Sequence, residues 1–238
     1  MKVAIDLEKI IFLDIETVST SSDYLDLSPI MQQFWNKKHT YFHQENYTTA
    51  QESYSQAGLY AEFGKVICIS MGVIRLQNGQ PTLRIKSIYG DTEKDILQQL
   101  ADLLATKFSP IDTHLVAHNG KEFDFQFLCK RYVINRIEIP SLLNPTHKKP
   151  WEVNLLDTME HWKFGAYKQT ISLKLLTHLL QIPPHPAENE LDGSHVHDLY
   201  YIKKDFASIK RHCELDVANL TNVFLRLYNL PNVTILST

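Results

Sequence analysis

The stretch Ile10-Ile11-Phe12-Leu13-Asp14-Ile15-Glu16 places two carboxylates at the end of an otherwise wholly apolar run. A run of that kind marks a strand buried on both faces. Side chains alternate along a strand, so positions 14 and 16 point to the same face. Two like charges there are costly unless positive charge lies between them, and a divalent cation supplies it. The plainer reading ends the strand at Leu13 and leaves both acids as solvated turn residues. What separates the two readings is the company these acids keep further along the chain.

Composition narrows the field. With 238 residues, 44% of them hydrophobic, the chain can bury one α/β core without needing a second domain, so residues 1–238 read as a single unit. A net charge of −3 gives no polyanion-binding surface as a whole. Contact with nucleic acid must then come from a local patch or from bound cations. The three cysteines, Cys68, Cys129 and Cys213, form no Cys-x-x-Cys pair and sit in apolar or helical contexts. They read as buried free thiols of a reducing, cytoplasmic compartment. No signal core and no apolar run of membrane-spanning length is present, so no membrane partner is expected.

Strand-like runs occur at residues 10–15, 65–75, 83–89 and 113–118, with a shorter one near 153–156. The second and third are joined by the turn material Gln77-Asn78-Gly79-Gln80-Pro81. Asp91-Thr92-Glu93-Lys94 then opens a helix with acids in its first turn, and Ile96, Leu97, Leu100, Leu103 and Leu104 form its apolar stripe. Further helices are predicted at about 123–133, 172–180 and 205–228. Three strands followed by alternating helices and strands predict an α/β fold with a mixed sheet covered by helices.

Residues 20–61 stand apart. They hold Tyr24, Phe34, Trp35, Tyr41, Phe42, Tyr47, Tyr54 and Tyr60 and are too long for a plain loop. They read as a partly helical insertion beside the acid-bearing strand end. Its aromatics either stack on unpaired bases or build the small core of the insertion itself.

Two more acidic motifs follow. In Val116-Ala117-His118-Asn119-Gly120-Lys121-Glu122-Phe123-Asp124-Phe125-Gln126-Phe127-Leu128 a strand runs through Asn-Gly into an aromatic-rich helix. Asp124 falls near that helix start, where an acid also serves as a plain cap, yet three phenylalanines surround it. In Arg211-His212-Cys213-Glu214-Leu215-Asp216-Val217, His212 and Asp216 are four apart and share a helix face. An exposed ion pair would show the same spacing.

Together these segments resemble the DEDD-type 3′–5′ exonucleases, the DnaQ-like group with an RNase H-like fold. The shared order is Asp-x-Glu on the first strand, Asn-x-x-x-Phe-Asp after a middle strand, and a final Asp on the last helix. Within that group the chain is most similar to the predicted exonuclease family related to the proofreading domains of family B DNA polymerases. Ala61-Glu62-Phe63-Gly64-Lys65-Val66, Ser172-Leu173-Lys174-Leu175-Leu176 and Asp192-Gly193-Ser194 ahead of Leu199-Tyr200 add to the likeness.

The resemblance implies a ribonuclease H-like mixed five-stranded sheet with a helical insertion after the first strand. It also implies a metal-dependent enzyme that releases 5′-mononucleotides from the 3′ end of single-stranded DNA or RNA. Asp14, Glu16, Asp124 and Asp216 would hold two ions of Mg²⁺ or Mn²⁺, which suit an all-oxygen site. His212 departs from the family, having the tyrosine subgroup's spacing with the histidine subgroup's residue. Imidazole titrates near neutrality and a phenol does not, so His212 is the expected base for the attacking water. Asn119 and Phe123 are expected at the substrate end, and Lys148 and Trp151, flanking Lys149 and Pro150, form a basic-aromatic loop that would grip single-stranded backbone. Each also has a structural reading, as turn or solvated loop. Asp157 reads as structural, and His195 and His197 as loop residues. The rival function is a non-catalytic nucleic-acid-binding module or accessory subunit of the same fold, with the insertion docking a protein.

Overall fold

The computed structural model describes residues 6–42, 47–77, 80–149, 152–167, 169–183, 195–230 and 233–236. The Asn78-Gly79 pair, Trp151 and the Asp192-Gly193-Ser194 motif lie outside the described residues. The strands are β1 (Ile10–Ser19), β2 (Gly64–Gln77), β3 (Gln80–Tyr89), β4 (His114–Ala117), β5 (Leu155–Asp157) and β6 (Thr234–Leu236). Among the described residues they form one sheet in the order β5-β4-β1-β2-β3-β6. Antiparallel pairs join β1 to β2 and β2 to β3, whereas β4, β5 and β6 add in parallel to their neighbours. The five strands expected from sequence make up the α/β mixed sheet of the ribonuclease H-like fold, and β6 extends its β3 edge.

The helices are α1 (Pro29–His39), α2 (Ala50–Ser53), α3 (Glu93–Lys107), α4 (Asp124–Ile134), α5 (Thr158–Trp162), α6 (Leu173–Leu179), α7 (Val196–Asp198) and α8 (Phe206–Leu227). The brief α5, α7 and β6 escape the sequence reading because three to five residues show no period.

Strand β1 decides the layering. Ile11, Leu13 and Ile15 pack into a core with Ile96, Leu97 and Leu100 of α3 and Phe125 and Leu128 of α4. Ile10 and Phe12, pointing the other way, pack with Val217, Ala218 and Phe224 of α8. Both faces of β1 are therefore covered, as the apolar run requires. The strand continues through Asp14 and Glu16 to Ser19, paired with β2 along most of its length. The two acids lie within the strand, on the α8 side, and the solvated-turn reading fails.

The insertion is helical as expected. Trp35, Tyr54, Ala57 and Phe63 form its buried core, with Tyr24, Phe42 and Tyr60 packed around them. A capping box between Thr49 and Glu52 starts α2, and the Trp35 indole N–H donates to the Ala50 carbonyl at 2.8 Å.

Glu93, expected simply as a first-turn acid of α3, is buried against Arg131 of α4. The carboxylate also accepts the Val66 N–H and the Asn135 amide, each at 2.8 Å, so every polar group of this buried pair is used. Helix α8 lies close to the sheet because residue 72 is glycine. A Cβ there would stand 2.7 Å from Val217 Cγ1 and 2.9 Å from Leu83 Cδ1. Gly72→Ala therefore pushes α8 outward, and the expected cost is about 1–3 kcal/mol of stability. Urea unfolding followed by far-UV circular dichroism checks it, and an unshifted midpoint would contradict this packing.

Candidate metal centre between strand β1 and helix α8

Three segments deliver the acids: β1, the start of α4 and α8. Asp14 and Glu16 come from β1, opposite Ser70 and Cys68 of β2. A register shift follows immediately after Glu16, the kind of irregularity that re-aims a strand. Strand β4 pairs with β1 only at Ile10, Ile11 and Phe12 and then leaves the sheet. That exposes the edge of β1 beyond Phe12, and the Asp124 carboxylate takes the Ile15 N–H there. Asp124 is thus fixed on the backbone between the two strand acids, and it is buried.

The turn that carries the chain from β4 to Asp124 is built by Asp157. Its carboxylate accepts the N–H of Asn119 at 2.9 Å, of Lys121 at 3.0 Å and of Met159 at 2.9 Å. This is the structural use expected for Asp157. Asn119 sits at φ 61°, a left-handed conformation that asparagine tolerates. Gly120 is required beside it, since a Cβ would come 2.3 Å from that of Ala117.

Helix α8 supplies His212, Cys213 and Asp216. His212 Nδ1 lies 3.5 Å from an Asp216 carboxylate oxygen. Ligand atoms of Glu16, His212 and Asp216 all fall within 4.8 Å of one another, as do those of Asp14, Glu16 and Cys213. The Cys213 thiol donates to the Asp14 carbonyl at 3.4 Å, tying the helix to the strand at the acids. A second tie is polar: Ser70 and Ser87 hydroxyls meet at 2.8 Å, and Ser87 donates to Glu214 at 2.7 Å. Neither tie was anticipated from sequence. The helical spacing of Ile209, Cys213, Val217 and Leu220 was the available signal that position 213 faces the core.

The electrostatics follow from crowding. Burial foremost, then Asp216, Asp124 and Glu16, holds the Asp14 carboxyl well above the usual carboxylate range. Burial and Asp216 do the same for Glu16. Burial pushes Asp124 up to about 7 against the backbone N–H groups bonded to it. Burial also raises the Cys213 thiol, so it stays protonated. The donor set fits a hard divalent cation: carboxylate oxygens dominate it, too close together to be fully ionised, with the Cys213 thiol and the His212 ring within the same reach.

The other sequence-predicted residues divide. Phe123 precedes Asp124 and is partly buried against Phe127, with ring centroids 5.5 Å apart. Lys148 is not brought to the acids: its ammonium donates to the Ser141 carbonyl at 2.7 Å, within the loop that leads to the far end of β5. His197 lies in the short helix α7 rather than in the loop expected, where it contacts the Ser22 carbonyl at 3.1 Å and Asp198. Cys68 and Cys213 are buried free thiols, whereas Cys129 is only partly buried. No helix among the described residues is long and apolar enough to cross a membrane.

A family model described as "Predicted 3'-5' exonuclease related to the exonuclease domain of PolB" matches residues 59–233. The chain belongs to this family. The match takes in Asp124, His212 and Asp216 and begins beyond Asp14, Glu16 and most of the insertion. The exonuclease family's matched segment and the unmatched strand β1 are therefore joined at the acids by geometry alone. No curated protein matches the chain.

A carboxyl that titrates at about 7 in the folded chain keeps a proton that the unfolded chain, at 3.8, has already released. Stability from Asp124 is therefore present at low pH and lost as pH rises from about 4 to about 7. In EDTA at pH 8, Asp124→Asn is expected to raise stability by about 1–3 kcal/mol, and at pH 4 to leave it nearly unchanged. Urea titrations at the two pH values read the difference. A variant no more stable than wild type at pH 8 would contradict the crowding.

Proposed function

We propose that this protein is a metal-dependent 3′–5′ exonuclease that removes 5′-mononucleotides from single-stranded DNA or RNA. The observation that carries the reading is the convergence of Asp14, Glu16 and Asp216, from distant parts of the chain, with the Asp124 carboxylate bearing on the same cluster. Carboxylate donors of this kind select Mg²⁺ or Mn²⁺ over softer ions. When bound, two such ions supply positive charge and Lewis acidity at a scissile phosphate, as in other phosphodiester hydrolases.

The chain's own residues have distinct parts. Asp14 feels the other three carboxylates together and would be central among the residues that hold the cations. Glu16, Asp124 and Asp216 complete the set. His212, beside Glu16 and Asp216, accepts the proton of the attacking water. A proton on Nδ1 faces Asp216 and leaves Nε2 as the ring's acceptor. Asn119 and Phe123, on the turn that delivers Asp124, orient the terminal nucleotide. Residues 1–238 act as one catalytic domain in the cytoplasm, a reading supported by the free thiols and by the absence of a membrane-spanning helix among the described residues.

Incubation of labelled single strands with Mn²⁺ is expected to release 5′-mononucleotides stepwise from the 3′ end, and EDTA to stop it. Asp14→Asn and Asp216→Asn should each lower the rate by more than about 100-fold, beyond what loss of a supporting contact costs. His212→Ala should lower it by about 10²–10⁴-fold. Equal rates for His212, His212→Tyr and His212→Ala would remove the ring from the reaction. Binding without cleavage under every divalent cation would mark a non-catalytic module instead.

A further inference from the structure

The insertion's aromatics separate into two sets. Trp35, Tyr54 and Phe63 are buried in its core, which fixes the orientation of α1. Phe34 and Tyr41 are not: they remain 55% and 77% exposed. Both line an open groove of about 400 Å³ together with Met31, Lys37, Lys38 and Phe63. Phe34, Lys37 and Lys38 follow the helical i, i+3, i+4 pattern and share one face of α1, and Tyr41, in the turn just beyond its end, lines the same groove.

The charge on that face has one sign. Helix α1 carries no Asp or Glu and ends in Lys37, Lys38 and His39. Among the described residues that line the groove the one acid, Glu62, is already paired with Lys130 at 3.2 Å. Lys38 rests over the Tyr60 ring at 3.9 Å, which holds its ammonium at the rim. In a chain with a net charge of −3, this is a local cationic surface beside exposed π faces. That combination suits an unpaired polynucleotide, which offers phosphates to the lysines and flat bases to the rings. A duplex buries its bases in the stack and offers only the phosphates.

Distance favours the same occupant. Phe63 adjoins Gly64, which pairs with Ser19, while Cys68 pairs with Glu16. Five residues of strand separate the groove's edge from the acids, about 16 Å. We propose that Phe34 and Tyr41, with Lys37 and Lys38, form a stacking platform for unpaired bases a few nucleotides 5′ of the end held at the carboxylates. The strand's direction in this proposal rests on the exonuclease reading; the binding itself does not.

The test uses the full chain in EDTA, so that binding is read without cleavage. The probes are a single strand of about 12 nucleotides carrying 2-aminopurine at internal positions, the same strand annealed to its complement, and a dinucleotide. The double variant Phe34→Ala/Tyr41→Ala is expected to bind the long single strand about 10-fold or more weakly than wild type and to lose the stacking quench of 2-aminopurine. Duplex and dinucleotide binding should not change, and Phe34→Tyr/Tyr41→Phe should restore both single-strand signals. Equal affinity and quench in wild type and the alanine variant would overturn the platform and leave this face to a protein partner. So would failure of wild type to bind the long strand at all. Mononucleotide release by wild type with Mn²⁺ is scored separately, so a failed platform and a failed nuclease give different results.

Discussion

Repulsion among carboxylates confined between β1 and α8 governs this molecule. The chain contains other buried acids, and it treats them differently. Glu93 is matched by Arg131, the Val66 N–H and Asn135. Asp157 is saturated by backbone N–H groups of the turn it builds. Asp14 and Glu16 have no Lys or Arg partner among the described residues, and their nearest charges are other acids. A fold that satisfies its buried acids elsewhere crowds these together, the arrangement that a hard cation's site requires.

Holding like charges together requires a stiff frame, and the topology supplies one. Strand β1 is central and packed on both faces; it is paired on both sides as far as Phe12 and held by β2 beyond it. The early departure of β4 frees the Ile15 N–H for Asp124 without loosening the rest of the strand. Helix α8 is held down by close approach at Gly72, by the Cys213 thiol on the Asp14 carbonyl, and by the Ser70–Ser87–Glu214 chain. These ties restrain an element whose outward shift would relieve the repulsion.

Much of this was legible in the sequence, for definite reasons. Long apolar strands and a helix with a clear stripe announce themselves by period, so β1 to β5, α3, α4, α6 and α8 could be placed. The acids stood out because charge interrupts apolar runs. Glu93 shows the limit: its first-turn position is readable, but Arg131, distant in sequence, turns it from a cap-like acid into a buried ion pair. Lys148 shows another, since a basic residue beside an aromatic says nothing about which carbonyl its ammonium will find. The split of the insertion's aromatics into core and surface was likewise unreadable. Phe34 and Trp35 are neighbours in sequence, and helical rotation alone buries one and exposes the other.

His212 brings a ring nitrogen against the acids. At i, i+4 its ring leans along α8 toward Asp216, and Nδ1 stops 3.5 Å from that carboxylate. A tyrosine at the same spacing would carry its hydroxyl further out and would not place a titrating nitrogen against the acid. Imidazole therefore sets a nitrogen able to accept a proton beside Asp216 and within reach of Glu16. A phenol, which keeps its proton at neutral pH, could not serve as acceptor there. The ring and the carboxylates thus meet at one place because helix α8 carries His212 and Asp216 one turn apart, against the strand that carries Asp14 and Glu16.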